Sequence, residues 1–133
     1  MKKLLLALLP LCTTISCAAG LVAIGAGVLI GAWIASDFQE GTGKIFLNAA
    51  PEDTFAAAVA EANSREGATE VEVFRGSMRV EWLEDGARIR VAALIYPDNY
   101  EMTELKVSAM ELGLKGRPDL AQDIGEAIGS RVK

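Results

Sequence analysis

The chain has 133 residues, with 18 acidic and 13 basic side chains, no histidine and two cysteines. That length points to one domain, the acidic balance argues against a phosphate backbone as partner, and the missing histidine removes the commonest catalytic base. Charge is unevenly spread: nothing between Lys3 and Asp37 is charged, so without Lys2 and Lys3 the rest carries 11 bases against 18 acids, a net charge of −7.

The N-terminus has the layout of an export signal. Lys2 and Lys3 form a positive start, and the run from Leu4 to Leu11 is an apolar core of signal-peptide length. Thr14-Ile15-Ser16-Cys17 then places a small residue before a cysteine, a pattern that resembles the bacterial lipobox. On this reading residues 1–16 are a cleaved signal. Cys17 receives diacylglycerol and an N-acyl chain, and membrane lipid is the first partner. The imperfection is Thr14, where the pattern usually has Leu. Cys12 is the poorer candidate because Leu11 before it is bulky and Pro10 stiffens the chain. An uncleaved signal-anchor with an incidental cysteine is the competing reading. Ala18 rather than Asp after the cysteine favours an outer membrane, facing the periplasm, in a Gram-negative cell envelope.

Residues 17–36 comprise the cysteine and a Gly/Ala-rich apolar membrane segment. As a helix its last 19 residues would extend roughly 29 Å, close to a bilayer core. Ala19, Ala23, Gly27, Gly31 and Ala35 recur at every fourth position, which on a helix makes one face of small side chains suited to close helix packing. Trp33 stands where an interfacial aromatic is expected. Self-association through that face, a hairpin in the membrane, and a plain apolar stalk beside the lipid all satisfy this pattern.

Residues 37–43 read as a polar linker and 44–133 as a small domain. Lys44–Leu47 is a short strand. Pro51 opens a helix with Glu52 and Asp53 in its first turn, Phe55, Ala58, Val59 and Ala62 on one face, and Gly67 at its end. Alternating residues then mark strands around Val71 and Val73, around Val80 and Trp82, and around Ile89 and Val91. Asp85-Gly86 joins the second pair, since both residues tolerate positive φ. A Pro97-Asp98-Asn99 turn leads to a last strand with Thr103, Leu105, Val107 and Ala109 on one face. Pro118 opens a final helix whose expected buried stripe is Leu120, Ile124, Ala127 and Ile128. The predicted fold is α+β: an N-terminal apolar signal/anchor helix, then a two-layer sandwich of antiparallel sheet and two helices. The element order is β-α-β-β-β-β-α, helix-grip-like, with one sheet face wet.

The order of these features resembles the small bacterial lipoprotein family catalogued as domain of unknown function 3568. The matching features are Cys17 followed by the Gly/Ala-rich run, Pro51 with Phe55 and Ala58, and Asp85-Gly86 before Ile89 and Val91. Thr103, Leu105 and Val107, then Gly113 and Gly116, then Ile124 and Ile128 complete them. Thr14 and Arg117-Pro118 depart from the pattern. The resemblance implies a lipoprotein with this fold, and no activity.

No catalytic or metal-ligating set is assigned, and no cofactor beyond the covalent lipid is expected. Ser77 beside Gly76 reads as a turn residue. Glu81, Glu84 and Asp85 read as a solvated hairpin tip more than a hard-cation site. The wet face collects Arg79, Arg88, Arg90 and Lys106 with Glu81 and Glu104, either a solvated surface or a docking site for an anionic envelope protein. The expected role is a non-enzymatic interaction or scaffolding module. A small-ligand or lipid-binding domain and an oligomerising membrane protein are the alternatives.

Overall fold

A computed structural model describes residues 31–37, 41–112 and 115–132. The fold is α+β. The strands are β1 (Ile34–Asp37), β2 (Thr42–Leu47), β3 (Thr69–Phe74), β4 (Arg79–Glu84), β5 (Ala87–Tyr96) and β6 (Asn99–Glu111). Helix α1 (Pro51–Ser64) lies between β2 and β3, and α2 (Pro118–Arg131) follows β6. The strands form one antiparallel sheet in the order β1-β2-β6-β5-β4-β3.

Alternation along the strands sorts the sheet into two faces. Ile45, Val80, Trp82, Ile89, Val91, Leu105 and Val107 all point to one side and are almost fully buried there. Both helices pack on that side, with Ala58, Ala62, Ala121, Ile124 and Ile128 closing the core. Each such Ile, Leu or Val contributes about 1.5–3 kcal/mol through removal from water. The Asp85-Gly86 turn forms as expected, with φ of 50° and 74°. Both positive values suit the twist of a two-residue hairpin.

The structure departs from the sequence reading at three places. The first is the strand β1, which lies where the apolar segment 17–36 and the linker 37–43 were expected to meet. β2 likewise begins at Thr42, inside the expected linker. Trp33, expected at a membrane interface, instead packs partly buried against the core of the domain. It lies over Gly43 and Gly125, whose missing side chains make its slot: a Cβ on Gly43 would overlap its ring, and one on Gly125 would sit 2.6 Å from its Cζ3. An uncharged stretch reports that it needs burial but not whether lipid or protein supplies it.

Gly31 and Ala35 therefore do not continue a helical ladder. Gly31 has φ +79° and its N–H donates to the Phe46 carbonyl at 2.7 Å, and Ala35 pairs with Gly43 in the sheet. Cys17, Ala19, Ala23 and Gly27 lie outside the described residues.

The second departure is the face of α2. Its buried residues are Ala121, Ile124, Gly125, Ile128 and Gly129, while Leu120 and Ala127 are only partly covered. The stripe is rotated because the two glycines let Trp33 and Leu47 approach the helix axis. The third is the end of α1, which stops at Ser64 and not at Gly67. Arg65 leaves the helical conformation there, with φ −79° and ψ 121°.

Candidate interaction surface

On the helix side, the end of α1 meets β4 and α2 around one guanidinium. Arg65 Nε donates to both Glu84 carboxylate oxygens at 3.0 and 2.8 Å, Nη1 to Glu61 at 2.9 Å and Nη2 to Asp123 at 2.9 Å. Trp82 Nε1 donates to Glu84 at 2.9 Å, and Arg131 Nε donates to Glu61 at 2.7 Å. The hydrogen bond to Glu84, with those to Asp123 and Glu61, holds Arg65 above the usual arginine range, against the opposing effect of burial. A raised pKa stabilises the fold fully below the unfolded value and loses that contribution only as pH rises through the folded one. The clamp therefore stays charged through neutral and moderately alkaline pH. Glu84 is thus no member of a solvated hairpin tip. It faces the core side while Glu81 faces the other, so only Asp85 of that expected trio is exposed.

Among the described residues, no helix covers the other face of the sheet. Cross-strand register brings together side chains that are distant in sequence: Glu81 opposite Arg90, Leu83 opposite Arg88, and Arg79 opposite Ala92, which neighbours Lys106. Lys106 in turn neighbours Lys44 on β2. Glu81 is 7% exposed and lies beneath three arginines. Arg90 Nε donates to its Oε1 at 2.8 Å, and Arg88 Nη1 approaches Oε2 at 3.8 Å. Arg79 Nε lies 2.9 Å from Oε1 but off the hydrogen-bond direction, so this contact is ionic only. The Arg79 guanidinium also stacks 4.4 Å from the Phe74 ring centroid, a cation–π contact.

One carboxylate cannot neutralise three cations. Glu104 approaches Lys44 at 3.8 Å, and Glu72 sits at the edge opposite Glu81. Lys44, Lys106, Arg79, Arg88 and Arg90 still outnumber Glu72, Glu81 and Glu104 on this face. The surface is net positive on a chain whose formal net charge is −5. Alternation had already placed these residues on one face. The convergence on Glu81 was not visible, because it depends on the β4–β5 register. Glu61 and Arg65 stand four apart, but the Arg65 clamp is not legible from that spacing, since Glu84 and Asp123 arrive from other elements.

Two grooves border the helices. One of about 500 Å³ runs along the seam of β2 and α2, lined by Gly31, Ile45, Leu47, Gly129 and Val132 among others. A shallower one lies by Ala56, Ala60 and Arg131. Ser77 is exposed in a single 3-10 turn over Arg75–Ser77. Among the described residues, no three or more His, Cys, Asp or Glu side chains converge so as to hold a metal ion, and no helix is long and apolar enough to cross a membrane.

No family model matches the chain, and no curated protein matches its sequence. The resemblance to the lipoprotein family described above therefore rests on the order of its features.

Proposed function

We propose that this chain is an exported bacterial lipoprotein, held in the cell envelope by lipid on Cys17, whose domain is a non-catalytic interaction or scaffolding module. Its open sheet face is the docking surface, and the partner is an envelope protein presenting carboxylates. The observation that carries this reading is the group of Arg79, Arg88 and Arg90 around the single carboxylate of Glu81. Exposed guanidinium groups in excess of their internal partners retain unused donors arranged for carboxylate recognition. The acidic remainder of the domain repels the same partner elsewhere, which would orient the encounter.

The signal-like start, Ser16-Cys17 and the uncharged stretch support anchoring. Family membership with the lipoproteins of domain of unknown function 3568, and the helix-grip-like description of the fold, belong to the same proposal. The ligand-binding alternative would use the groove between β2 and α2, whose volume falls in the range of small-molecule sites. Self-association would instead use Ala19, Ala23 and Gly27.

The test is affinity recovery of partners from detergent-solubilised envelopes, with wild type beside an Arg88→Gln, Arg90→Gln double variant. Arg79 is kept so that buried Glu81 retains a counter-ion. Loss of a specific partner in the variant, and its release from wild type at high salt, is the expected result. Recovery unchanged by both manipulations would remove the open face as the docking surface.

A further inference from the structure

The two ends of the sheet differ in what they expose. At one end, the hairpin of β5 and β6 runs out beyond the helices and leaves Leu94 at 42%, Ile95 at 53% and Tyr100 at 78% exposure. Leu94 and Ile95 are consecutive strand residues, so they point to opposite faces of the ribbon. A flat protein partner would cover only one of them. An apolar medium that surrounds the tip covers both.

Tyr100 is placed there by a bulge. Ile95 pairs with Thr103, but the next pair is Tyr96 with Asn99, so Tyr100, Glu101 and Met102 have no counterparts on β5. The Asn99 side-chain oxygen accepts the Glu101 N–H at 3.0 Å and fixes the detour. Bulges of this kind re-aim side chains: Met102 is turned inward to 8% exposure while Tyr100 is thrown out. Tyrosine, with an apolar ring and a polar tip, is suited to a boundary between water and hydrocarbon.

The uncharged N-terminal stretch joins the domain at this same end. Gly31 is bonded to Phe46 at 2.7 Å, and the Phe46 ring meets Tyr96 edge-on at 5.5 Å. Along the neighbouring row, Leu47 pairs with Thr103 and Thr103 with Ile95, so the end of β2 and Ile95 are two strand spacings apart, roughly 10 Å. The opposite end, around Asp85 and Gly86, exposes one large apolar side chain among the described residues, Leu112, beside Lys115 and Arg117.

We propose that the tip of the β5–β6 hairpin is a second membrane contact, with Leu94, Ile95 and Tyr100 in the interfacial region of a phospholipid bilayer beside the anchor. The proposal rests on the anchoring proposed above. Asp98 and Glu101 flank the tip, and Glu52 and Asp53 are exposed at the same end, because Thr103 Oγ1 donates to Ala49 just before α1. Four carboxylates oppose an anionic surface, so the lipid recognised is zwitterionic. In this orientation the strands stand up from the membrane and the basic face looks sideways along it.

The experiment places the full chain in phosphatidylcholine vesicles with or without brominated acyl chains, and compares Tyr100→Trp with Leu112→Trp at the opposite end, each against the parent. Both side chains are exposed and neither residue has a positive φ, so neither change disturbs the core or a turn. An interfacial group sits about 5–10 Å into the headgroup and acyl boundary, so bromine should quench the emission added at position 100 roughly twofold or more, and that at 112 little. Partial replacement by phosphatidylglycerol should weaken the effect. Equal quenching at both positions, or none at 100, in protein that still floats with the vesicles overturns the hairpin contact and leaves the anchor standing. Protein that does not float removes the anchor, and the hairpin contact with it.

Discussion

The two faces of the sheet hold the same ionic motif with its signs exchanged. On the helix side one arginine, Arg65, sits among Glu61, Glu84 and Asp123. On the open side one carboxylate, Glu81, sits among Arg79, Arg88 and Arg90. What separates them is burial. Arg65 has 16% of its side chain exposed and every donor nitrogen engaged, whereas Arg88 and Arg90 expose 49% and 58%. With its central guanidinium buried and saturated, the first cluster joins α1, β4 and α2. Exposed and uncompensated, the second contributes little to folding and keeps its donors for recognition.

Removing the centre of the buried cluster gives the largest effect. Arg65→Met strands buried Glu84 without a counter-ion while Glu61 keeps Arg131, and should lower unfolding stability by about 3–5 kcal/mol in urea titration. A loss under about 1 kcal/mol, the scale of an exposed pair, would erase the distinction between the faces. Trp33→Ala comes next. It empties the slot over Gly43 and Gly125 and should cost about 3 kcal/mol, and Gly125→Ala should expel the indole and shift its emission to the red. Unchanged stability in Trp33→Ala would return the residue to the membrane interface that its position in the sequence suggests.

Thr54 sharpens the comparison from the other direction. It is fully buried in α1, and its hydroxyl has no hydrogen-bond partner among the described residues. Thr54→Val keeps the shape and should raise stability by about 1 kcal/mol in the same titration. The smallest change in stability belongs to Arg88→Gln with Arg90→Gln, within about 1 kcal/mol of wild type, while the same pair of changes removes partner recovery.

Much of this architecture can be read from period-two alternation: the buried set Val80, Trp82, Ile89, Val91, Leu105 and Val107 follows from it, as does the common face of the arginines. Pro51, Pro118 and Asp85-Gly86 mark two helix starts and one turn through local stereochemistry. Strand β1 could not be read because Trp33-Ile34-Ala35 is apolar in continuity with the stretch before it, and only the sheet reveals what covers it. The glycines of α2 misled for a related reason, since a residue without a side chain gives no hydrophobic signal although its surface is buried. The ionic clusters need register and helix placement: Glu61 and Arg65 are neighbours on a helix, but Glu84 and Asp123 reach them only through tertiary packing.

The proposed role depends first on how the chain is held, and the intact mass of the protein recovered from membranes, wild type beside Cys17→Ala, tests it most directly. The account predicts a mature chain starting at Cys17 and carrying acyl chains, with that species lost in the variant. A full-length, unmodified mass in both would contradict the lipoprotein reading and make the uncharged N-terminal stretch itself the anchor.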